Sequence, residues 1–386
     1  MAYLRKIAII IYILLVYSGL VKWIPGLPVD LTIVFTAILL VLFPFLFKQQ
    51  FLSVSSFAKV VIFSVLSLSI LFLLTNVYTI STDYAMSKSI ATVLNMFCFI
   101  YPLLLFDESD LPYFKKVMTA GNVIILTILS FLYFTDQFIY FQMSEKTIES
   151  VLGFGIPNYL SLGTFISVSL IFQIGNKSVF NKIIMAYSIF ILFVLGGRGP
   201  LLFLFFIFIL HYFLTLEIKK FSIKNVVILF LGGILLLQYF DFSAVNFERF
   251  NILGNFSEDE SALERIFFIE EGYKSVANHL FMGLGIGSSG IILSGTDVSL
   301  YPHNLFLESL MEVGFVGGLL YLLLYFCIFF KTFKNTQSTT LLILGLISLY
   351  LFFQDMKSGS FDSWRISLMW IALFVIEYRA KDKIQI

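Results

Sequence analysis

A histidine, an asparagine and two glutamates lie close together between Tyr301 and Gly318. Asn304, Glu308 and Glu312 recur every four residues, so a helix would present them along one side. Carboxylates in an apolar helix are costly and usually face a cavity, a partner or a substrate. His303 precedes them, and an imidazole with an ordinary pKa of about 6.5 can act as a base at neutral pH. We therefore expect the chemistry of this chain here.

Two arginines could bind an anion. Arg198 stands in the sequence Gly196-Gly-Arg-Gly-Pro200, where glycines permit close approach of a ligand and a new helix would begin. Arg265 has no acidic residue three or four positions away on its helix, so it has no local partner. Either guanidinium suits bidentate contact with phosphate. The alternatives are a headgroup-level anchor for Arg198 and an exposed or snorkelling side chain for Arg265.

Other interpretations of the polar stretch stay open at this point. His303 could be an ordinary interfacial histidine. Glu308 and Glu312 could bind substrate hydroxyls, act as a base, or satisfy buried polar groups, and we favour hydroxyl contact. Three dispersed histidines and two cysteines in apolar runs predict no metal site. We also expect no cofactor. The formal G-x-G-x-x-G in Gly283–Gly290 lacks a strand–turn–helix frame, so it predicts a turn and not a dinucleotide site.

The elements around these residues are apolar helices. The chain is 59% hydrophobic and 13% charged, whereas soluble domains have about 25% charged residues. Its apolar runs reach the length that crosses a bilayer. The sequence therefore predicts an all-α, polytopic membrane helix bundle of about 12 transmembrane helices. The predicted spans are 7–24, 29–47, 60–79, 89–106, 117–135, 156–174, 183–197, 200–216, 225–240, 303–330, 340–354 and 363–378.

The distribution of Lys and Arg predicts the orientation. With the N-terminus inside, 16 of the 25 basic residues fall on the cytoplasmic side and 9 on the outer side, Lys88 among the latter. This bias favours cytoplasmic termini and places Arg198, the 241–302 loop and Arg365 outside. The near-zero net charge of +1 gives no nucleic-acid signal.

The 241–302 loop is the only extended polar region. It is too short for an ordinary independent domain, so we treat 1–386 as one integral-membrane domain. Ser257–Glu260 looks like a capping box that begins a helix. Apolar residues then recur at helical spacing, which predicts a helix that packs on the bundle through Ile266, Ile269, Tyr273, Val276 and Leu280.

These features together resemble the superfamily of O-antigen polymerases and O-antigen ligases. The resemblance lies in a dozen spans with one large late loop, and in the order of three short patterns within about 198–318. The patterns are Gly196-Gly-Arg-Gly199, then Arg265, then Gly283-Leu-Gly-Ile-Gly287 followed by His303-Asn304, Glu308, Glu312, Gly314 and Gly317.

The resemblance implies a metal-independent, inverting glycosyltransferase of the bacterial inner membrane. Its donor would be a glycan on undecaprenyl pyrophosphate at the periplasmic face, with membrane lipid around it and a chain-length regulator as a further partner. Arg198 and Arg265 would hold the pyrophosphate, and His303 would be the base for the acceptor hydroxyl. Asn304, Glu308 and Glu312 would contact glycan or acceptor.

Three functions remain open from the sequence. A polymerase adds the growing chain to a new lipid-linked repeat unit, whereas a ligase transfers the finished glycan to lipid A-core. The two share donor chemistry, so the donor-site residues do not separate them. A non-enzymatic transporter of lipid-linked glycans would favour internal repeats and charges near the bilayer midplane. We find no repeat, and the polar residues cluster at the outer face, which favours surface chemistry over transport. Of the two enzymes, the polymerase is our leading hypothesis and the ligase is the close alternative.

Overall fold

The computed structural model describes residues 2–20, 30–47, 55–135, 159–176, 178–195, 198–215 and 260–384. Over these residues the protein is helical and has no strand, which confirms the all-α prediction. The helices are α1 (Ala2–Val16), α2 (Leu31–Leu46), α3 (Ser56–Leu74), α4 (Asp83–Leu105), α5 (Leu111–Phe134), α6 (Tyr159–Gln173), α7 (Val179–Val194), α8 (Arg198–Thr215), α9 (Glu260–His279), α10 (Ser288–Ser294), α11 (Leu305–Val313), α12 (Phe315–Lys334), α13 (Thr339–Ser358) and α14 (Arg365–Ile384).

Five helical segments in the described ranges are long and apolar enough to cross a membrane. They are Ser56–Val77, Asp83–Leu105, Glu108–Phe134, Phe315–Lys334 and Thr339–Ser358. Four apolar helices are shorter, namely Leu31–Leu46, Tyr159–Gln173, Val179–Val194 and Gly199–Thr215. The structure therefore supports a membrane protein, but it does not confirm twelve spans, and the predicted span 225–240 lies outside the described residues.

The predicted span 303–330 is two helices. Gly314 has a φ of 79°, a left-handed conformation that ends α11 and begins α12. With nine residues, α11 is about 14 Å long, far less than the roughly 30 Å of a bilayer core. The residues around His303 therefore lie on a short helix and its entry loop, and only α12 is long enough to cross.

The chain divides into two compact units. The first contains Met1–Ala120 and Ser257–Ile386, and the second contains Gly121–Phe256, so the division falls within α5. In the first unit α4 packs on α14 and α3 packs on α12, while α11 contacts α9, α12 and α13. Within the predicted loop 241–302, α9 and α10 are the described helices.

The second unit is built around α6. This helix packs on both α7 and α8. Gly163 makes the close approach to α8, because a Cβ at this position would lie 2.9 Å from the Pro200 ring. Asn122 also donates a hydrogen bond to Ser188 Oγ at 3.0 Å. A small residue on α6 thus fixes the start of α8, the helix that begins at Arg198.

Helix α9 packs through a different face from the predicted one. Four of the five residues predicted to contact the bundle are exposed, namely Ile266, Ile269, Tyr273 and Leu280. The contact with α11 is made by Phe268, Gly272 and Val276. The reason is steric: a Cβ on Gly272 would lie 2.8 Å from Leu307 Cδ2, so the absent side chain lets α11 approach. The periodicity signalled an amphipathic helix but identified the wrong face.

Candidate functional site

His303 has an unusual backbone conformation at the entrance of α11. Its φ is 55°, and no other described residue except glycine has a positive φ. Such backbone strain concentrates at functional sites. The imidazole stacks on Phe268 of α9, with ring centroids 6.1 Å apart and planes at 24°. Tyr301 meets the same ring edge-on at 4.7 Å. Two aromatic contacts therefore fix the direction of the imidazole.

Arg265 and His303 are close enough to influence each other electrostatically. Arg265 is half-buried on α9, one turn before Phe268. Burial first, and then the positive charge of Arg265, lower the pKa of His303 to about 4. The imidazole is therefore neutral at pH 7. Among the described residues, neither the His303 ring nor the Arg265 guanidinium has a hydrogen-bond or ion-pair partner, so both polar groups are available to a ligand.

The other predicted pyrophosphate ligand lies in the second unit. Arg198 is the first residue of α8. Its side chain, with Gly196 and Gly197, lies outside the part of the chain that the structure describes. The role of Arg198 beside Arg265 therefore stays a prediction.

Asn304 begins α11. Its Oδ1 accepts a hydrogen bond from the Leu307 amide at 2.9 Å, the usual contact of a helix N-cap. The next residue, Leu305, is fully buried, so the cap and the apolar side chain together fix where the helix starts. This places His303 directly before the first turn, where the chain leaves the loop.

Glu308 and Glu312 form a buried ion-pair network with Lys88 of α4. Lys88 Nζ donates to Glu308 Oε1 and, at 2.6 Å, to Glu312 Oε1, and all three side chains are 0% exposed. Glu308 Oε2 also accepts from the Phe361 amide at 2.9 Å. Burial raises the pKa of Glu308 above its ordinary value, and the neighbouring ammonium group of Lys88 opposes this shift.

Of the three interpretations of these glutamates, the contacts support the buried polar one. The carboxylates are aligned along one side of α11, as the spacing predicted, but that side faces α4. Their contact with glycan stays a prediction. The position of Lys88 differs from the predicted one. The predicted span began at residue 89 and left Lys88 in an outer loop, but Lys88 lies inside α4 and is fully buried.

The glycine-rich turn from Gly283 to Gly287 is hydrogen-bonded to residues at the end of α3. Gly283, Gly285 and Gly287 have φ values of 64°, 90° and 78°. Between them, the Ile286 amide donates to Thr75 Oγ1 at 2.9 Å, and Thr79 Oγ1 donates to the Ile286 carbonyl at 2.6 Å. These contacts are those of a tight packing turn, which is the structure that the sequence predicted here.

Comparison with known protein families finds a match to the part of the chain that contains the candidate residues. Residues 183–322 match the family model described as O-antigen ligase. The matched segment begins in α7 and ends in α12, and it contains every candidate residue: Arg198, Arg265, His303, Asn304, Glu308 and Glu312. The match confirms the resemblance to the O-antigen polymerases and ligases. A search of curated proteins finds no match to the chain.

Proposed function

We propose that this chain of the O-antigen polymerase and ligase superfamily is a surface-polysaccharide polymerase. In the proposed reaction, the acceptor hydroxyl gives its proton to His303 and its oxygen attacks the anomeric carbon of the donor glycan. The bond to undecaprenyl pyrophosphate breaks on the opposite face, and the bonding electrons leave with the pyrophosphate. The product is one repeat unit longer, with inverted configuration at the new linkage.

The observation that carries this proposal is an imidazole held between two aromatic rings, near a guanidinium that has no partner in the described part of the chain. At pH 7 His303 can accept a proton, since its pKa is about 4. Arg265, without a partner among the described residues, can stabilise charge that develops on the leaving pyrophosphate. A base at one end of the reacting bond and a cation at the other are what the transfer requires when no metal participates.

The other candidate residues have secondary roles in the proposed reaction. Arg198 would be a second contact to the pyrophosphate at the start of α8, where a helix N-terminus favours anions. Asn304 would meet the acceptor beside His303. Glu308 and Glu312 would contact glycan only if the Lys88 pairing opened, so we give them a lesser part. Donor and acceptor are both undecaprenyl-pyrophosphate-linked oligosaccharides.

A ligase is the second candidate. The family model that matches residues 183–322 is described as O-antigen ligase, and this favours a different acceptor for the same donor chemistry. In a ligase the lipid-linked glycan would pass to lipid A-core, and the roles of His303 and Arg265 would be unchanged. The identity of the acceptor therefore distinguishes the two functions.

The test is polymer formation with and without His303. In a strain lacking the chromosomal gene, we expect the wild-type chain to restore a polysaccharide ladder on gels. His303→Ala should reduce it by about 10² to 10⁴-fold, the usual contribution of a general base. His279→Ala is the matched control, because His279 is an exposed histidine at the end of α9. It should leave the ladder unchanged.

The same strain separates the alternatives. Loss of linkage to lipid A-core, with polymer still accumulating on the lipid carrier, would identify a ligase. An unaltered ladder in His303→Ala, with the variant present at wild-type level in the membrane, would contradict both enzymes. Failure to deliver lipid-linked units to the periplasm would instead indicate transport.

A further inference from the structure

Lys88 connects the segment that carries His303 to α4, a helix long and apolar enough to cross a membrane. Its ammonium group binds Glu308 and Glu312, which lie one and two turns after the N-cap of α11. The other charged or titratable groups around it are Tyr84, with its ring centroid 5.1 Å from Nζ, and Asp362. No part of this network faces solvent, since all three ion-pair partners are fully buried.

A second set of hydrogen bonds joins the segment before His303 to the start of α4. Asp297 accepts hydrogen bonds from the Thr82 amide at 2.7 Å, the Asp83 amide at 2.8 Å and Ser81 Oγ at 2.7 Å. These donors surround the first turn of α4. The segment from 298 to 307, which contains His303, is thus held at both ends by the first two turns of α4.

We propose that Lys88 is a positioning residue, which fixes α11 through Glu308 and Glu312 and thereby holds the His303 ring against Phe268 of α9. The catalytic meaning of this inference rests on the proposed function. Lys88 itself touches no reacting atom, because it is sealed between α4 and α11. Its effect reaches His303 through α11, which starts one residue after Asn304.

The energetics favour a positioning role over simple stabilisation. Removing a Lys and two carboxylates from water is costly, and well-packed apolar residues at such sites are often equally stable or better. A buried ion pair does impose one geometry, because its partners must meet at hydrogen-bonding distance. Short α11 needs such a constraint, since a nine-residue helix has few positions with which to hold its own rotation and register.

The pKa of His303 is the direct readout, and it requires no enzymatic activity. Arg265 of α9 and Tyr301 of the loop are the charged and titratable groups identified beside the ring. The chain has three histidines, so His211→Gln with His279→Gln leaves His303 alone. Its modification by diethylpyrocarbonate, followed against pH in purified full-length protein, reports the neutral imidazole.

The decisive variant replaces the network with neutral groups of similar shape: Lys88→Met, Glu308→Gln and Glu312→Gln together. We expect it to fold, as judged by its melting curve in detergent, while the His303 pKa rises from about 4 toward 6.5. A rise of roughly one unit or more would be measurable. In the polymerase assay the acid limb of the pH–rate profile should move with it, and kcat should fall more than donor KM changes.

A matched control lies in another buried polar network. Asp355 of α13 accepts hydrogen bonds from Tyr325 at 3.1 Å and Ser367 at 2.7 Å, within α12, α13 and α14. Asp355→Asn should lower the melting temperature without changing the titration of His303. If it moved the titration as far as the neutral network does, the effect would be general loosening and the inference would fail.

The remaining outcomes are also decisive. A folded triple variant with an unchanged His303 pKa would overturn the positioning role. If the triple variant does not fold, Glu308→Gln with Glu312→Gln takes its place, because it keeps the shape of both side chains and removes both carboxylates that bind Lys88. A raised pKa in that variant supports the inference and an unchanged one contradicts it. Should His303→Ala retain polymerase activity, the proposed function fails, while the chemical titration still decides the role of Lys88.

Discussion

The charge of Arg265 links donor binding to the strength of the base. In the free protein this charge helps burial to lower the pKa of His303 to about 4. An anion bound to the guanidinium would offset the charge, so the pKa would move back toward its ordinary value. A histidine with a pKa closer to the working pH is a stronger base that is still largely neutral. Occupancy of the donor site would therefore strengthen the base.

Substitution of Arg265 tests the anion contact. We expect Arg265→Ala to abolish polymer and Arg265→Lys to lose about 10² to 10³-fold, because an ammonium lacks the planar fork that contacts two phosphate oxygens. The measurement is the initial rate of ladder formation by purified variants, at equal protein and saturating lipid-linked repeat unit.

Lys274 provides the control on the same helix. It is an exposed cation whose Nζ binds Glu271 at 2.6 Å, three residues earlier. Lys274→Ala should retain the wild-type rate, since an exposed ion pair of this kind contributes little. Equal losses in Lys274→Ala and Arg265→Ala would mean that the general positive charge of α9 matters, and the specific contact would be refuted.

Single residues show how far the sequence could predict the site. The lack of an acidic neighbour correctly marked Arg265 as unpaired among the described residues, and the spacing of Glu308 and Glu312 correctly aligned them. Their partner could not be predicted, because Lys88 lies 220 and 224 residues away along the chain. A lysine just inside an apolar run was nevertheless a usable signal, since such a charge needs a buried partner.

At the scale of elements, the turn from Gly283 to Gly287 has to bring three backbones together. A Cβ on Gly287 would lie 2.6 Å from the Ala85 amide nitrogen of α4, and a Cβ on Gly283 would lie 2.6 Å from the Glu312 carbonyl carbon of α11. The positive φ values and the close approach both require glycine. This turn therefore brings α4 and α11 near enough for Lys88 to pair with Glu308 and Glu312.

Two alanine substitutions separate conformation from close approach. Gly287 and Gly295 have similar φ values of 78° and 74°, but a Cβ on Gly295 would meet nothing within 4 Å. Gly295→Ala should cost about 1–2 kcal/mol, from the left-handed backbone alone. Gly287→Ala should cost more and reduce polymer formation, because α4 must shift. Melting curves in detergent and the gel assay measure the two effects, and equal destabilisation by both variants would contradict the close-approach argument.

The elements also show where periodicity stops being informative. Hydrophobic spacing signalled α9 as amphipathic, but it could not reveal that Gly272 is the point where α11 packs. Likewise, the apolar run 303–330 does not reveal that it forms two helices. From the sequence, Gly314 looks like an ordinary packing glycine, and only its φ of 79° shows that a helix ends there. In both cases a tertiary contact at a glycine determines how the helices pack or where they end.

At the scale of the whole molecule, the chemistry depends on which side of the membrane holds α9 and α11. The distribution of basic residues predicts that both lie outside and that the loop before α5 lies inside. The donor and acceptor are proposed to meet at the periplasmic face, so the function requires this orientation. The fold alone does not supply it, because a helix bundle has the same internal contacts in either orientation.

Labelling of single cysteines tests the predicted orientation. In a Cys98→Ser, Cys327→Ser background, which removes both native cysteines, Asn278→Cys places a thiol at an exposed position near the end of α9. A membrane-impermeant maleimide should label it in spheroplasts without lysis. Lys116→Cys, at an exposed position near the start of α5, is the matched control and should react only after lysis. The reverse pattern would put His303 and Arg265 in the cytoplasm, where a periplasmic donor could not reach them, and the proposed polymerase would have to be abandoned.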